Sequence, residues 1–111
     1  MLYVNADGTI RLTRGDTAVL SVVITNEVNY EEYVVQEDDT LTLSVRKTAN
    51  DPTLCFSVST IGSSTFRIKP SDTAKMNFGK YKYDVQLTRA NGDVHTVIGP
   101  VTFEILQEVT Y

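Results

Sequence analysis

Residues 79–106 contain the feature that most constrains the fold, which is two alternating segments joined at Asn91-Gly92. In the first segment polar residues alternate with a row of apolar ones, namely Tyr81, Tyr83, Val85 and Leu87. A period of two places such a row on one face of a β-strand. Asn-Gly is typical of a two-residue type I′ turn, in which both central residues have positive φ. The segment therefore predicts a long β-hairpin with one buried face.

Shorter segments of the same kind occupy most of the remaining chain. Their alternation predicts strands at 9–13, 18–25, 40–48, 53–59 and 65–69, separated by turn residues. Seven or eight antiparallel strands, with a turn about every ten residues, are typical of a β-sandwich. We therefore expect an all-β protein with a single domain over residues 1–111.

Two of these strands carry apolar residues on both faces. Val19 and Val23 lie on the second face of strand 18–25, so we expect this strand to be covered on both sides. Cys55 alternates with Leu54, Phe56 and Val58. It therefore either points outward or lies in a second doubly covered strand.

Two interruptions of the alternation predict local irregularities. Gly99-Pro100 lies within the second strand of the hairpin, which predicts a bulge or a bend there. The segment after Pro70 predicts a short helical turn near 71–76, with Ser71 or Asp72 as its N-terminal cap. Such a turn would connect one sheet to the other.

Tyr81 follows this helical turn at the start of a late strand. The arrangement resembles the tyrosine corner of immunoglobulin-like sandwiches, in which the hydroxyl bonds a backbone group across the corner. The cysteine pair and the core tryptophan of antibody domains are missing, since the chain has one cysteine and no tryptophan. Valine, leucine and phenylalanine would fill that space.

The charge and composition exclude several classes of partner. The net charge is −4 at pH 7 and no basic stretch is present, so we expect no nucleic-acid partner. No charged-then-apolar leader and no apolar run of about 18 residues are found, so we expect no signal peptide, no transmembrane segment and no membrane partner. A single cysteine forms no intrachain disulfide. We expect a protein that is made in the cytosol.

Residues for catalysis or metal binding are scarce. His95 is the only histidine and Cys55 the only cysteine, and neither has a neighbouring group that would activate it. One histidine and one cysteine do not supply a zinc site. Calcium is the open possibility, because residues 31–39 hold five carboxylates, but their spacing is not that of an EF-hand and a solvated acidic loop is the favoured interpretation. We expect no enzyme, no cofactor and no small-molecule substrate.

Aromatic residues outside the alternating segments give the best indication of a binding surface. Tyr30 and Tyr33 lie in the acidic segment 26–39, and Tyr3 and Tyr111 lie near the chain ends. Tyrosine is enriched at protein interfaces and on sugar-binding faces. The candidate partner-binding residues are therefore Tyr30, Tyr33, Glu37, Asp38 and Asp39.

The pattern as a whole resembles a known family. The segments that carry the resemblance are Arg14-Gly-Asp-Thr17, Asp39-Thr-Leu-Thr-Leu-Ser-Val-Arg-Lys47, Phe66-Arg-Ile-Lys-Pro70, Asp72-Thr-Ala74, Gly79-Lys-Tyr-Lys-Tyr-Asp-Val-Gln-Leu87, Asn91-Gly-Asp93, Gly99 and Phe103-Glu-Ile105. They resemble the small immunoglobulin-like structural proteins of tailed phages and prophages of Gram-positive bacteria. The layout is similar to that of the N-terminal domain of phage baseplate upper proteins, although no long stalk or receptor-binding domain follows it in this sequence.

The resemblance implies a non-enzymatic virion component of the tail, baseplate or neck, or a decoration protein. Its partners would be other phage structural proteins, including copies of itself. It would be found in the host bacterial cytoplasm during assembly and afterwards in the virion. The alternative is a carbohydrate- or cell-surface-binding β-sandwich module that uses Tyr30 and Tyr33, with or without calcium.

Overall fold

A computed structural model describes residues 2–5, 7–25, 29 and 31–107, and it contains ten strands and one short helix in this part of the chain. The elements are β1 (Leu2–Val4), β2 (Ile10–Thr13), β3 (Ala18–Ser21), β4 (Ile24–Thr25), β5 (Glu32–Tyr33), β6 (Thr40–Arg46), β7 (Leu54–Ile61), β8 (Thr65–Ile68), α1 (Pro70–Thr73), β9 (Gly79–Thr88) and β10 (Val94–Leu106). The expected all-β class is confirmed. The strands outnumber the expected seven or eight, partly because the predicted strand 18–25 is split at residues 22 and 23.

Six strands form one sheet in the order β1-β2-β10-β9-β6-β7, while β3 pairs with β8 and β4 pairs with β5 in two smaller sheets. The expectation of purely antiparallel pairing is wrong at one place. Strands β2 and β10 run parallel, with Ile10 opposite Phe103 and Leu12 opposite Ile105. The C-terminal part of β10 pairs with β2 on one edge and with β9 on the other, so the large sheet is mixed.

The hydrophobic core lies between the inner face of the large sheet and the β3–β8 pair. The face predicted for the hairpin is confirmed, because all four apolar residues of its first strand are buried: Tyr81, Tyr83, Val85 and Leu87. Strand β8 contributes Phe66 and Ile68 to the same core, as its alternation predicts. The prediction of a doubly covered strand at 18–25 is wrong. Val19 and Val23 are exposed, and only the inward face of β3 is buried.

The hairpin between β9 and β10 turns differently from the prediction. The Arg89 N–H donates to the Asp93 carbonyl, and the Gly92 N–H donates to the Arg89 carbonyl. These bonds close a three-residue loop in which Gly92 has φ 94°, the usual sign of a bulge glycine that follows a type I turn. The predicted two-residue type I′ turn is therefore wrong, although Gly92 supplies a positive φ in both arrangements.

The predicted irregularity in β10 is confirmed. The register between β9 and β10 shifts between Thr96 and Ile98 and again between Ile98 and Val101, and the second shift spans Gly99-Pro100. A second irregularity, which the alternation did not predict, lies in β7. Leu54 pairs with Arg46 on the outer face, whereas Phe56 pairs with the buried Val45, so a bulge at Cys55 turns Leu54 outward.

The helical turn α1 occupies Pro70–Thr73 and lies just before β9. The carboxylate of Asp72 accepts a hydrogen bond of 2.8 Å from the backbone N–H of Lys69, the residue that precedes the helix. Beyond α1, the Tyr81 hydroxyl donates a 2.7 Å bond to the carbonyl of Asn77. The predicted bond from the Tyr81 hydroxyl to a backbone group is therefore present.

Candidate interaction site

One end of the large sheet brings the acidic segment together with the tip of the β9–β10 hairpin. Gln36 to Asp39 on one side and Arg89 to Asn91 on the other line an open depression of about 350 Å³. Both sides are held by strands, because β5 lies within the acidic segment, β6 follows it, and β9 ends just before Arg89. Three of the five predicted binding residues, Glu37, Asp38 and Asp39, lie here.

The acidic segment is closed by a hydrogen-bonded latch rather than being solvated throughout. Asp39 is only 2% exposed. One of its carboxylate oxygens accepts hydrogen bonds from the Tyr33 hydroxyl and, at 2.9 Å, from the Gln36 backbone N–H. Tyr33 is itself anchored, since β5 pairs it with Ile24 of β4 and its half-buried ring packs on the core. We call Tyr33, Gln36 and Asp39 the acidic latch.

Arg89 joins this latch from the hairpin. Its guanidinium carbon lies 5.7 Å from the centroid of the Tyr33 ring, which is within cation–π range. Arg89 was not among the binding residues predicted from the sequence. The sequence feature that could have identified Arg89 is its position between an alternating strand and an Asn-Gly turn, where a charged residue projects from the end of a sheet.

The ionisation of the latch follows from these contacts. The pKa of the Asp39 carboxyl is lowered from its ordinary value, first by the Tyr33 hydroxyl, then by the Gln36 N–H, with a further contribution from the Arg89 charge. The pKa of Tyr33 is raised, mainly because its hydroxyl donates to Asp39 and secondly because the group is desolvated. At neutral pH the latch is thus an ionised carboxylate bonded by a neutral phenol.

The two carboxylates between the latch residues remain available to a partner. Glu37 and Asp38 form a turn and are exposed at the rim of the depression. Tyr33 lines a second, adjacent depression of about 200 Å³ on the other side of Arg89, together with His95. Tyr30 and Tyr111 lie outside the described residues, and Tyr3 is exposed on β1 beside Arg11.

The residues considered for chemistry are separated in the fold. His95 is exposed beside Leu87, near the hairpin tip, whereas Cys55 is exposed at the start of β7, near the opposite end of the sheet. Among the described residues, no group of three or more histidine, cysteine, aspartate or glutamate side chains is placed to hold a metal ion.

Within the described ranges, no helix has both the length and the apolar character needed to cross a membrane. A scan against models of protein families finds no match to the chain, and a search of curated proteins finds none either.

The latch predicts a specific pH dependence of stability. A carboxyl whose pKa is lowered on folding contributes stability above its unfolded value of about 3.9, and that contribution is lost as the pH falls through the folded value. We expect Asp39→Asn to lower the urea midpoint at pH 7. The difference from the wild type should narrow steadily below about pH 4, because a protonated aspartate and an asparagine are both neutral.

Asp38→Asn is the matched control, since it removes the same charge from the exposed neighbour. We expect its urea midpoint to stay close to that of the wild type at pH 7. Equal midpoints for Asp39→Asn and the wild type at pH 7 would show that the latch does not stabilise the fold.

Proposed function

We propose that this chain is a non-enzymatic structural or accessory protein of a phage or prophage, belonging to its tail, baseplate, neck or decoration, and that it acts through protein–protein contacts. The proposal of protein–protein contacts rests on the exposed turn within residues 36–39, which we call the acidic end. Glu37 and Asp38 are exposed on a turn whose base is fixed by Asp39, so their charges are presented without the entropic cost of ordering a loose loop. The phage part is carried by the sequence resemblance.

The strand layout is compatible with the immunoglobulin-like sandwich that the resemblance implies. The pairing β6-β9-β10 matches the order C-F-G of such sandwiches, and the pairing of β3 with β8 matches B with E. β7 then corresponds to the additional strand C′ of the variable type. The bond from Tyr81 to Asn77 lies at the expected corner between E and F. The layout departs from the constant type in that β2 joins β10, in parallel, rather than β3.

The chemistry of the acidic end favours a basic surface on the partner. The exposed rim carries the negative charges of Glu37 and Asp38. Among the described residues, Arg89 is the only cation that lines the depression, and it lies beside Tyr33 and Asp39. Complementary charges at an interface speed association and fix its orientation. The proposed partners are therefore neighbouring virion proteins that present lysine and arginine.

The experiment is a binding titration against the purified products of the structural genes that flank this one. We expect one of them to bind the wild type, and Glu37→Gln/Asp38→Asn to weaken that binding about fivefold or more at low salt. Asp51→Asn/Glu104→Gln removes the same charge elsewhere and should bind like the wild type. Binding that is equally strong in both double variants would contradict the proposed site, and flanking genes with no virion proteins among them would contradict the phage assignment.

A second candidate function is carbohydrate or cell-surface binding, with or without calcium. The observation that favours it is the half-buried Tyr33 ring, which lines one open depression next to a second that is lined by Gln36, Asn91 and carboxylates. Aromatic faces beside amide and carboxylate groups are suited to sugars. A glycan array probed with and without EDTA tests it, since specific glycan signals would support this function and a blank array in both conditions would exclude it.

A further inference from the structure

Strand β7 ends the large sheet, and its sequence is unusual for an edge. It pairs with β6 on one side, and no other strand of the described chain pairs with it. Its eight residues, Leu-Cys-Phe-Ser-Val-Ser-Thr-Ile, include no charge and no proline. Edge strands usually carry lysine, proline or inward-pointing charges that prevent pairing with another chain. This edge is therefore open to a further strand.

The outer face of β7 is symmetric about its centre. The bulge at Cys55 places Leu54 on the outer face, where it is 43% exposed, and Ile61 at the other end is 71% exposed. Between them the outer face carries the small residues Ser57 and Ser59. One apolar residue thus stands at each end of the same face, with small polar residues between.

The two ends of β7 also differ in charge. At its start, Cys55 shares a depression of about 430 Å³ with both Asp72 and Lys75, and the charges of both Asp51 and Lys47 act on the Cys55 thiol. At its end, the N–H of Gly62 donates to the Asp39 carbonyl, which places the strand end beside the exposed Glu37 and Asp38. The start of β7 is therefore flanked by charges of both signs, and its end by carboxylates.

From the uncharged edge and its symmetric outer face we propose that β7 pairs antiparallel with β7 of a second copy of this chain, about a two-fold axis at Val58. In this register Ser57 lies opposite Ser59 of the second copy, and Ile61 meets the bulge at Leu54 and Cys55. Such a contact is isologous and joins the two six-stranded sheets into one continuous sheet.

A neutral strand suits this occupant, because pairing with itself brings no like charges opposite one another. The proposal rests on the proposed function and deepens it by naming one partner as a second copy. It also assigns a separate role to each part of the molecule, with β7 for self-association and the acidic end beyond it for other proteins.

The test is sedimentation velocity over about 5–500 µM, in which the wild type should pass from monomer to dimer. Ser57→Lys adds a charge at the centre of the open edge, and we expect it to raise the dimer dissociation constant at least about tenfold. Gln86→Lys is the matched control, since it adds the same charge on the outer face of the central strand β9. It should dimerise like the wild type, and thermal melts would establish that both variants are folded.

A wild type that stays monomeric throughout, or equal effects of the two lysine variants, would overturn the proposal. These results are distinguishable from failure of the proposed function. A monomeric wild type that still binds a flanking virion protein leaves the proposed function in place and removes only the pairing through β7.

Discussion

Replacing Val85 with aspartate is expected to destabilise the protein by at least about 4 kcal/mol, the largest effect of any single change considered. Val85 is fully buried in β9, the strand between β6 and β10, and lies opposite Leu43 on one side and Ile98 on the other. A carboxylate placed there loses its water without gaining a partner. Because domains of this size are stable by only about 5–15 kcal/mol, much of the variant should be unfolded at 37 °C.

The adjacent position provides the control for this prediction. Gln86 is next in the same strand but lies on the exposed outer face. Gln86→Asp should therefore change the free energy of unfolding by less than about 1 kcal/mol. Urea denaturation followed by circular dichroism compares the two variants, and similar losses in both would mean that the assignment of the two faces of β9 is wrong.

Replacing Phe103 with alanine is expected to cost about 3–5 kcal/mol, the second largest effect. Phe103 has no exposed surface and packs edge-on against Phe56 and Tyr83, with ring centroids 5.9 and 6.2 Å away. It also lies where β10 meets both β9 and β2, opposite Tyr81 and Ile10. Its removal therefore leaves a cavity where three strands meet.

Phe78→Ala makes the same chemical change at an exposed site. Phe78 is exposed, and its ring contacts the Arg14 guanidinium at 4.3 Å. Loss of an exposed cation–π contact costs about 0.5–1 kcal/mol. The melting temperature of Phe103→Ala should therefore be well below that of Phe78→Ala, and a reversed order would contradict the position of the core.

The features that could be predicted from the sequence are those that depend on local alternation. The buried row of β9 and the inward residues Phe66 and Ile68 of β8 follow from a period of two, which the core requires of any strand with one buried face. The interruption at Gly99-Pro100 and a bond from the Tyr81 hydroxyl to a backbone group were also predictable, because proline, glycine and a tyrosine at the start of a strand have local structural meaning.

The features that could not be predicted depend on residues far apart in the chain or on one hydrogen bond. The parallel pairing of Ile10 with Phe103 joins segments that no local pattern relates. The bulge at Cys55 reverses the direction of Leu54 without any glycine or proline to indicate it. Asp39 looked like one more solvated acid, since its burial depends on Tyr33 and on Gln36 turning back toward it.

The acidic latch also divides the candidate residues into two roles. Tyr33 and Asp39 bond each other, so they shape the site, while Glu37 and Asp38 stay exposed and are the residues that we propose to contact a partner. Arg89 brings the hairpin tip to the same place. The long hairpin therefore contributes its tip to the proposed interaction surface and its buried face to the core.

Hydrogen–deuterium exchange of the complex with a flanking virion protein tests the central claim most directly. If the acidic end is the interaction surface, binding should slow amide exchange at Gln36 to Asp38 and at Ala90 to Asp93, the residues around the depression. Exchange in the buried part of β9 should stay unchanged. Protection found only elsewhere, or no complex with any of these proteins, would contradict the account.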